Sequence, residues 1–409
     1  MAIAYDKMNE DRRRIKTINS KSITYVADRL NYESNCIITG GKDLTFTNGA
    51  KVPNRKIILE AIIRSMIKKV KRPIIVFYKS PFLRIRIIEW LKSANNSRDC
   101  NFIGNLLNGR GKCLAPFQGM SREEIIYTVR SMATLTSLTF DQYAETFLEY
   151  LLNMIEHTGH KMEFCNIMKL VSLSDEQLTQ LAMKLGLVAE SKYFSKPNNG
   201  SEVVKRVLKD MLNYFQDYYD ETSALKINIC SEVLNNHILF IEVGDQYHTE
   251  MLEYFCNELK CCAKMSPYII MDDIMLKNNP NFEDFLLGST GIRFVLGAVD
   301  VATLVSKDNL EDFITQASTK FFLHYENANA AETVTSSIGA YYHMRVSEEK
   351  SKNRETFHIL TDNVSEGTSV TEEKRLIVEG TRLVELSESQ FYLTDTAYDR
   401  FFFNNVIFE

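Results

Sequence analysis

Short apolar strands alternate with helical patterns in the first part of the chain, and this alternation narrows the fold to a few classes. Asn35 to Thr39 is a strand candidate, residues 40–53 hold glycine, asparagine and proline, and Ile57 to Ile67 has a helical pattern that is apolar on most faces. The β-branched run Ile74 to Tyr78 follows Pro73, as in a parallel strand that is buried on both faces. Strand, loop, helix and strand in this order predict a βαβ unit.

Helical periodicity replaces this alternation between residues 121 and 222. Capping boxes at Ser121 to Glu124 and at Ser174 to Gln177 begin two of the predicted helices. Strand candidates return at four places: 238–243, 268–271, 293–296 and 320–324. Strands that alternate with helices on both sides of a helical stretch predict an α/β fold, in which a doubly wound, mostly parallel sheet is interrupted by an all-α domain.

The insertion splits the predicted sheet domain into two parts. We place its N-terminal part at 1–120, the all-α insertion at 121–222 and its C-terminal part at 223–409. Short strands are predicted to close the last part at 357–360, 375–378, 384–386 and 390–393.

Charge is distributed unevenly along the chain, although the net charge is only −5. Residues 1–120 carry 23 Lys and Arg against 9 Asp and Glu, whereas the remainder carries 25 against 44. Basic clusters at Arg12 to Arg14 and Lys68 to Arg72 can neutralise the phosphates of DNA. They can also pair with the acidic part of the chain or with a neighbouring subunit, and the sequence leaves both interpretations open.

The distribution of apolar residues and cysteines indicates a cellular compartment. The chain has no run of about 18 consecutive apolar residues, the length of a membrane span, and its N-terminus is charged where a signal peptide is apolar. The 8 cysteines are spaced irregularly, as in proteins with reduced thiols, and they predict no metal site. We therefore expect a cytoplasmic protein.

Several short segments carry a family resemblance. Leu114 to Gly119 (LAPFQG) precedes the helical stretch, Tyr268 to Asp273 (YIIMDD) is an apolar strand that ends in two acids, and Leu383 to Leu393 closes the sheet domain. They are similar to the Asn-Pro-Phe segment, the Walker B strand and the closing strands of the conjugative coupling ATPases of the TraD/TraG type. That family also has a helical insertion in an α/β domain. The resemblance covers most of residues 34–395 and implies a RecA-like P-loop ATPase fold of the FtsK/HerA type.

The resemblance implies a site for ATP and Mg²⁺, but the loop after the first strand departs from the family pattern. A P-loop uses glycines to bring backbone N–H groups close to the phosphates, a Lys for the β and γ phosphates and a Ser or Thr hydroxyl for Mg²⁺. No register of the chain between Gly40 and Ile57 has that pattern. With Lys56 at the family's Lys position, Arg55 stands at the second glycine and Ile57 at the hydroxyl. These three residues are the candidate nucleotide-binding positions of a degenerate site without a recognisable Walker A motif.

The other catalytic positions also differ from the family pattern. Asp272 keeps the metal-binding carboxylate of the Walker B strand, whereas Asp273 stands where the family has a catalytic Glu. Residues 289–290 replace the family's interface arginine, and Ala298 or Val299 stands where a Gln senses the γ-phosphate. Together with the altered loop, these departures predict lost hydrolysis. An alternative interpretation of the two aspartates is simply the polar end of a buried strand.

The resemblance implies a component of a conjugative DNA transfer or type IV secretion system, as a catalytically degenerate ATPase-fold subunit or adaptor. We expect it to bind DNA through the basic N-terminal third and transfer or secretion proteins through the helical domain. Since the family forms hexameric rings, a homo- or hetero-hexamer near the bacterial inner membrane is implied. Two alternatives stay open: an active, divergent ATP-driven DNA translocase that uses Lys56 and Asp272, and an interaction scaffold with no nucleotide or DNA role.

Overall fold

The structure is a computed structural model. It describes residues 15–46, 49, 51–94, 98–104, 112–223, 225–336, 340–352, 364–376, 378–395 and 400–407. Of residues 15–21, 340–352, 364–376 and 400–407 it describes the backbone alone. The basic cluster Arg12 to Arg14 and the strand predicted at 357–360 lie outside the described residues.

The described strands fall into one large sheet and three small ones. In chain order they are β1 (Ile15–Ser22), β2 (Asn35–Thr39), β3 (Asp43–Thr45), β4 (Lys51–Pro53), β5 (Ile74–Tyr78), β6 (Cys100–Ile103), β7 (Cys113–Leu114), β8 (Lys226–Ile227), β9 (Ile238–Glu242), β10 (Tyr268–Asp272), β11 (Arg293–Ala298), β12 (Ala317–Phe322), β13 (Ala340–Lys352), β14 (Val364–Leu376), β15 (Gln390–Asp395) and β16 (Arg400–Ile407). The large sheet has the order β1-β16-β15-β12-β2-β11-β10-β5-β9-β6. Its strands from β12 to β6 all run parallel, and β15 pairs antiparallel with both β12 and β16. The predicted α/β fold with a mostly parallel sheet is therefore confirmed.

Both faces of the central strands are buried, which explains their continuous apolar sequence. In β5, Ile75 and Phe77 belong to the core on one face, whereas Ile74, Val76 and Tyr78 belong to the core on the other. All five are at most 1% exposed. Since full burial of such a side chain contributes about 1.5–3 kcal/mol, these strands hold the sheet in place.

The helices lie on both faces of the sheet and in the insertion. They are α1 (Ile23–Ala27), α2 (Asn54–Lys69), α3 (Pro81–Ser93), α4 (Arg122–Leu135), α5 (Gln142–His157), α6 (Phe164–Val171), α7 (Asp175–Lys184), α8 (Val188–Phe194), α9 (Ser201–Tyr214), α10 (Ile229–Leu234), α11 (His248–Cys261), α12 (Pro280–Gly288), α13 (Val301–Leu304), α14 (Leu310–Gln316), α15 (Ala328–Thr335) and α16 (Gly380–Val384). Helices α2 and α3 pack on the face of β5 that carries Tyr78, and α11 packs on the opposite face.

Among the described residues between β7 and β8, the chain forms six helices, α4 to α9. Both predicted capping boxes are confirmed, with Ser121 capping α4 and Ser174 capping α7. At the start of α9, Gly200 has a φ of +80°, and a Cβ on it would overlap the backbone of Ala144 at the start of α5. Only glycine fits there, because its position needs both a left-handed backbone and close approach of a second helix.

The two segments that connect these helices to the sheet lie side by side. Strand β7 pairs in parallel with β8, so the chain enters and leaves the helical region at one place. Tyr254 of α11 accepts a hydrogen bond from the backbone N–H of Phe117 at 3.1 Å and donates one to Glu258 at 2.7 Å. The domain boundaries at 120 and 222 stay a prediction.

The predicted strand at 384–386 is wrong. This segment begins inside α16 and continues into a turn, in which the N–H of Leu386 bonds the carbonyl of Leu383. Both leucines are buried on one side of a helical turn, and Gly380 allows α16 to lie close against α15. The predicted strand at 390–393 is confirmed as part of β15, and residues 375–376 belong to β14.

Candidate functional site

The carboxyl ends of β2, β11 and β10 meet at the start of α2. The chain leaves β2, forms α2 and returns to the sheet in β5, which lies beyond β11 and β10. This crossover places the first turn of α2 over the end of β10. It brings together four of the residues singled out in the sequence: Arg55 and Lys56 from the helix, and Asp272 and Asp273 from the strand end.

The segment between β2 and α2 is folded as a hairpin and fixed at both ends. Gly40 has a φ of +88°, and its N–H donates to the carbonyls of Ala298 and Val299 at 3.1 and 2.9 Å. A Cβ on Gly40 would lie only 2.7 Å from the carbonyl oxygen of His324, so the chain needs glycine at this close approach. Strands β3 and β4 then form the hairpin.

Asn54, the first residue of α2, closes this segment. Its buried side chain accepts from the N–H of Lys42 at 3.1 Å and donates to the carbonyl of Glu388 at 2.8 Å. The glycines and this asparagine thus hold the segment against the ends of β11, β12 and the loop before β15. This arrangement differs from a P-loop, in which glycines bring N–H groups to a phosphate.

The first turn of α2 carries two cations and no acid. Positive charge at a helix N-terminus opposes the helix dipole, so it needs negative charge nearby. That charge comes from β10 and the residue that follows it, Asp273. Both aspartates therefore help to stabilise the start of α2, whatever else they do.

Arg55 and Asp273 form the shorter of the two ion pairs. Arg55 Nη2 lies 2.6 Å from Asp273 Oδ2, and the side chains are 1% and 31% exposed. Among the described residues, Arg55 Nε and Nη1 are buried and have no hydrogen-bond partner. Asp273 has a φ of +57°, and its N–H donates to the carbonyl of Gly297 at 2.9 Å. This left-handed backbone turns the Asp273 carboxylate toward α2.

Lys56 and Asp272 form the longer pair, with Nζ 3.9 Å from Oδ2. The Asp272 side chain is fully buried, and neither of its oxygens has a hydrogen-bond partner among the described residues. Burial raises the pKa of Asp272 to about 6; nearby Lys56 opposes this shift and Asp273 adds to it. Asp272 is thus a carboxylate that would gain from a further hydrogen-bond donor or cation.

Ile57 does not face the site. It is 3% exposed and packs in the core between α2 and the sheet. The position that resembles the hydroxyl ligand of Mg²⁺ thus contributes to packing. Ala298 is also buried at the end of β11, whereas Val299 is 61% exposed and its carbonyl accepts the Gly40 N–H.

Three residues near the site were not singled out in the sequence. The hydroxyls of Thr39 and Tyr325 hydrogen-bond to each other in the interior beside the glycine turn. Tyr78 lies opposite Asp272 in the register of β5 and β10, and its hydroxyl is buried. No sequence motif connects these residues, because only the order of strands in the sheet brings them close to the site.

Comparisons with known proteins identify the architecture. No protein-family model and no curated protein sequence matches the chain. Among solved structures, the unbound bacterial conjugative coupling protein TrwB, lacking its N-terminal segment, is similar with a TM-score of 0.56 at 14% identity. The alignment covers 98% of this chain and 91% of TrwB. This chain has the coupling-protein fold.

Other TrwB structures extend the likeness. A form in complex with sulphate has a TM-score of 0.59 at 12% identity and covers 98% of this chain and 92% of TrwB. A complex of TrwB with ADP and Mg²⁺ has a TM-score of 0.56 at 12% identity and covers 98% and 91%. At these identities the comparison establishes the fold alone, the RecA-like α/β fold that the sequence predicted. It assigns no ligand to this chain.

The residues present suit the phosphates of a metal–nucleotide complex better than they suit its metal ion. Two buried nitrogens of Arg55 without partners suit the oxygens of a phosphate. Mg²⁺ prefers six oxygen ligands in an octahedron, often from a hydroxyl, carboxylates, phosphates and water. Here Ile57 supplies no oxygen, Asp273 already binds Arg55, and Lys56 faces Asp272. The free Arg55 nitrogens therefore fit an anion, and the site does not fit the P-loop magnesium arrangement.

No helix in the described part of the chain is long and apolar enough to cross a membrane. The same residues contain no group of three or more His, Cys, Asp and Glu side chains placed to hold a metal ion.

Proposed function

We propose that this chain is a component of a conjugative DNA-transfer or type IV secretion machine, in which an ATPase fold has lost hydrolysis. The observation that carries the proposal is the ion pair between Arg55 and Asp273, 2.6 Å apart. It engages the carboxylate at the position where the sequence resemblance implies a catalytic acid. The coupling-protein fold supports the assignment to this class of machine.

Hydrolysis of a nucleoside triphosphate needs a group that orients the attacking water and a cation that stabilises the charge on the phosphates. One oxygen of Asp273 already accepts a hydrogen bond from Arg55, which limits its use for water. Ile57 leaves the magnesium site without its hydroxyl. Both requirements for turnover are thus weakened in the same site.

The described cations of the N-terminal third have different partners, and several pair within that third, as Arg64 does with Glu60 and Arg72 with Glu33. Some pair with carboxylates of the C-terminal part: Lys79 with Asp245 at 3.0 Å and Arg84 with Glu242 at 3.5 Å, in addition to the two pairs of the site. These pairs support the interpretation in which the basic and acidic parts of the chain meet. They also leave fewer cations for DNA.

Exposed cations also lie at the other end of α2, where the chain returns to the amino end of β5. Lys68 and Lys71 are exposed there, and no ion pair joins either of them to a described residue. The ring of Trp90 lies 5.5 Å from Lys68 Nζ and 5.7 Å from the Arg64 guanidinium. Cations beside an aromatic ring are typical of surfaces that bind nucleic acid. We propose this basic end of α2 as the part of the N-terminal third that contacts DNA.

The helical region is the proposed docking surface for transfer or secretion proteins. Tyr143, Met183 and Val188 expose 62%, 64% and 61% of their area on α5, α7 and α8. Exposed apolar side chains of this size suit contact with another protein. We further propose that the chain joins a homo- or hetero-hexamer in the cytoplasm, against the bacterial inner membrane.

Phosphate release from ATP tests the loss of hydrolysis. The purified chain is assayed with Mg²⁺, with and without DNA, beside the Lys56→Met variant. We expect both proteins to release phosphate at the same background rate. Release by the parent protein that disappears in Lys56→Met would instead establish the active translocase.

DNA binding and assembly size test the assignment to a transfer machine. We expect salt-sensitive binding of DNA in an anisotropy titration and a species larger than the monomer by light scattering in its presence. A monomer that binds no DNA at low salt would leave the scaffold alternative.

A further inference from the structure

The nucleotide-fold site holds opposite charges that are buried and only partly satisfied. Arg55 is 1% exposed, and two of its three guanidinium nitrogens have no partner among the described residues. Asp272 is 0% exposed, and both of its oxygens are without hydrogen bonds there. Buried polar atoms without partners cost free energy. An anionic ligand would supply the contacts that Arg55 lacks, whereas the Asp272 oxygens gain nothing from an anion.

The donors of this site are a guanidinium and an ammonium on one helical turn. Arg55 and Lys56 are adjacent in the first turn of α2, where the backbone N–H groups also favour an anion. A guanidinium can bind two phosphate oxygens at once, and Arg55 Nε and Nη1 are the nitrogens left for this. Asp273 holds the third nitrogen and thereby sets the orientation of the guanidinium.

A divalent cation meets a different environment at the same place. It would lie close to two fixed positive side chains, and one of the two carboxylates available to it is already bound to Arg55. Ile57 packs in the core and offers no oxygen. The fixed charge of Arg55 thus stands beside the carboxylates that a P-loop site uses for its metal.

We propose that this site binds the phosphates of a nucleoside triphosphate without magnesium, and that the Arg55 guanidinium replaces the metal's charge. This inference rests on the proposed function in that the site is a nucleotide-binding remnant without turnover. Lys56 contacts the same phosphates as a second cation. Asp273 acts as a positioning residue for Arg55, and Asp272 stays beside the Lys56 ammonium at 3.9 Å.

Calorimetry with ATP tests the proposal. The purified full chain is titrated with ATP in EDTA and again with excess Mg²⁺, and adenosine is the probe that lacks phosphates. We expect binding in EDTA that is at least as tight as with Mg²⁺, and no binding of adenosine. No binding in EDTA, or binding that tightens about tenfold or more with Mg²⁺ as in a metal-dependent site, would overturn the proposal.

Two variants and a control assign the binding to Arg55. Arg55→Met removes the guanidinium and should weaken binding in EDTA by about tenfold or more, as expected for lost charge-assisted hydrogen bonds. Arg206→Met is the matched control, because it removes the same charge at an exposed position of α9, away from the site. It should bind ATP as the parent does. Equal affinities of Arg55→Met and the parent would overturn the proposal.

Asp273→Asn, the second variant, keeps the inference testable if Arg55→Met fails to fold. The amide can still accept a hydrogen bond from Arg55 but no longer neutralises it. We therefore expect tighter ATP binding in EDTA than in the parent, and weaker binding would contradict the assigned role.

Failure of this inference can be told apart from failure of the proposed function. If the chain binds DNA but no ATP, only the inference is wrong. If the chain releases phosphate from ATP with Mg²⁺ and this release depends on Lys56, the proposed loss of hydrolysis is wrong.

Discussion

Lys56 Nζ lies 3.9 Å from Asp272 Oδ2 at the point where α2 crosses the end of β10. The lysine side chain is 14% exposed and the aspartate is completely buried. At this distance the two charges attract without a hydrogen bond, so the pair offsets only part of the cost of burying Asp272. The charged form of Asp272 therefore lowers the free energy of unfolding, and this effect depends on pH.

The first prediction concerns the pH dependence of folding stability. Because the pKa of Asp272 is raised from 3.8 to about 6, the folded state binds more protons than the unfolded chain between these values. The contribution of this residue to stability therefore falls as pH rises from about 4 to 6, and it is constant above that range. Asp272→Asn removes the titration. Between pH 4 and 7, the free energy of unfolding of the variant should rise relative to that of the parent by up to about 3 kcal/mol, as measured by denaturant unfolding.

Asp245→Asn is the control for this experiment. Its side chain is 93% exposed and pairs with Lys79 at the surface, and that contact lowers its pKa. The free energy of unfolding of this variant should not rise relative to that of the parent over the same pH range. Parallel pH curves for Asp272→Asn and the parent would show that Asp272 is not buried as a strained carboxylate.

The second prediction concerns Ile57. The Ile57→Ser variant restores the residue type that the family resemblance implies, but the side chain at this position points into the core. We expect a loss of about 2–5 kcal/mol in unfolding free energy, as for other large-to-small changes in a core. We also expect no gain in phosphate release from ATP with Mg²⁺. Restored hydrolysis would mean that the start of α2 can turn the introduced hydroxyl toward the site.

The third prediction compares two glycines with the same backbone conformation. Gly200 and Gly186 have φ values of +80° and +73°, but only at Gly200 would a Cβ meet another chain segment within 4 Å. Gly186→Ala should therefore cost about 1–2 kcal/mol for the left-handed backbone alone. Gly200→Ala should cost clearly more, because α9 must move away from α5. Thermal unfolding of both variants checks the order, and equal melting temperatures would contradict the close contact.

The fourth prediction concerns DNA. The double variant Lys68→Glu and Lys71→Glu reverses two exposed charges at the basic end of α2. We expect DNA affinity to fall about tenfold or more, and the slope of log affinity against log salt to decrease by about two. Lys169→Glu with Lys192→Glu makes the same charge change on exposed positions of α6 and α8. If the two double variants lose equal affinity, binding depends on net charge and not on this surface.

Local sequence patterns predicted the elements whose stability is local or fully apolar. The strands β2, β5, β9 and β10 were found because burial on both faces demands an uninterrupted apolar run. The caps at Ser121 and Ser174 were found because a capping box involves residues only three apart. The strand predicted at 384–386 failed because Leu383 and Leu386 are apolar for helical packing, and so short a run does not separate the two periods.

The site shows the same division between local and tertiary information. The sequence by itself determined that no P-loop motif lies between Gly40 and Ile57, since that motif depends on residue types at fixed spacing. It could not determine that Arg55 binds Asp273, because helix α2 reaches the end of β10 only through the order of strands in the sheet. The tertiary structure also decided that Ile57 faces the core while its neighbour Lys56 faces Asp272. The physical reason is that adjacent positions on a helix point about 100° apart, and packing against the sheet selects which of them is buried.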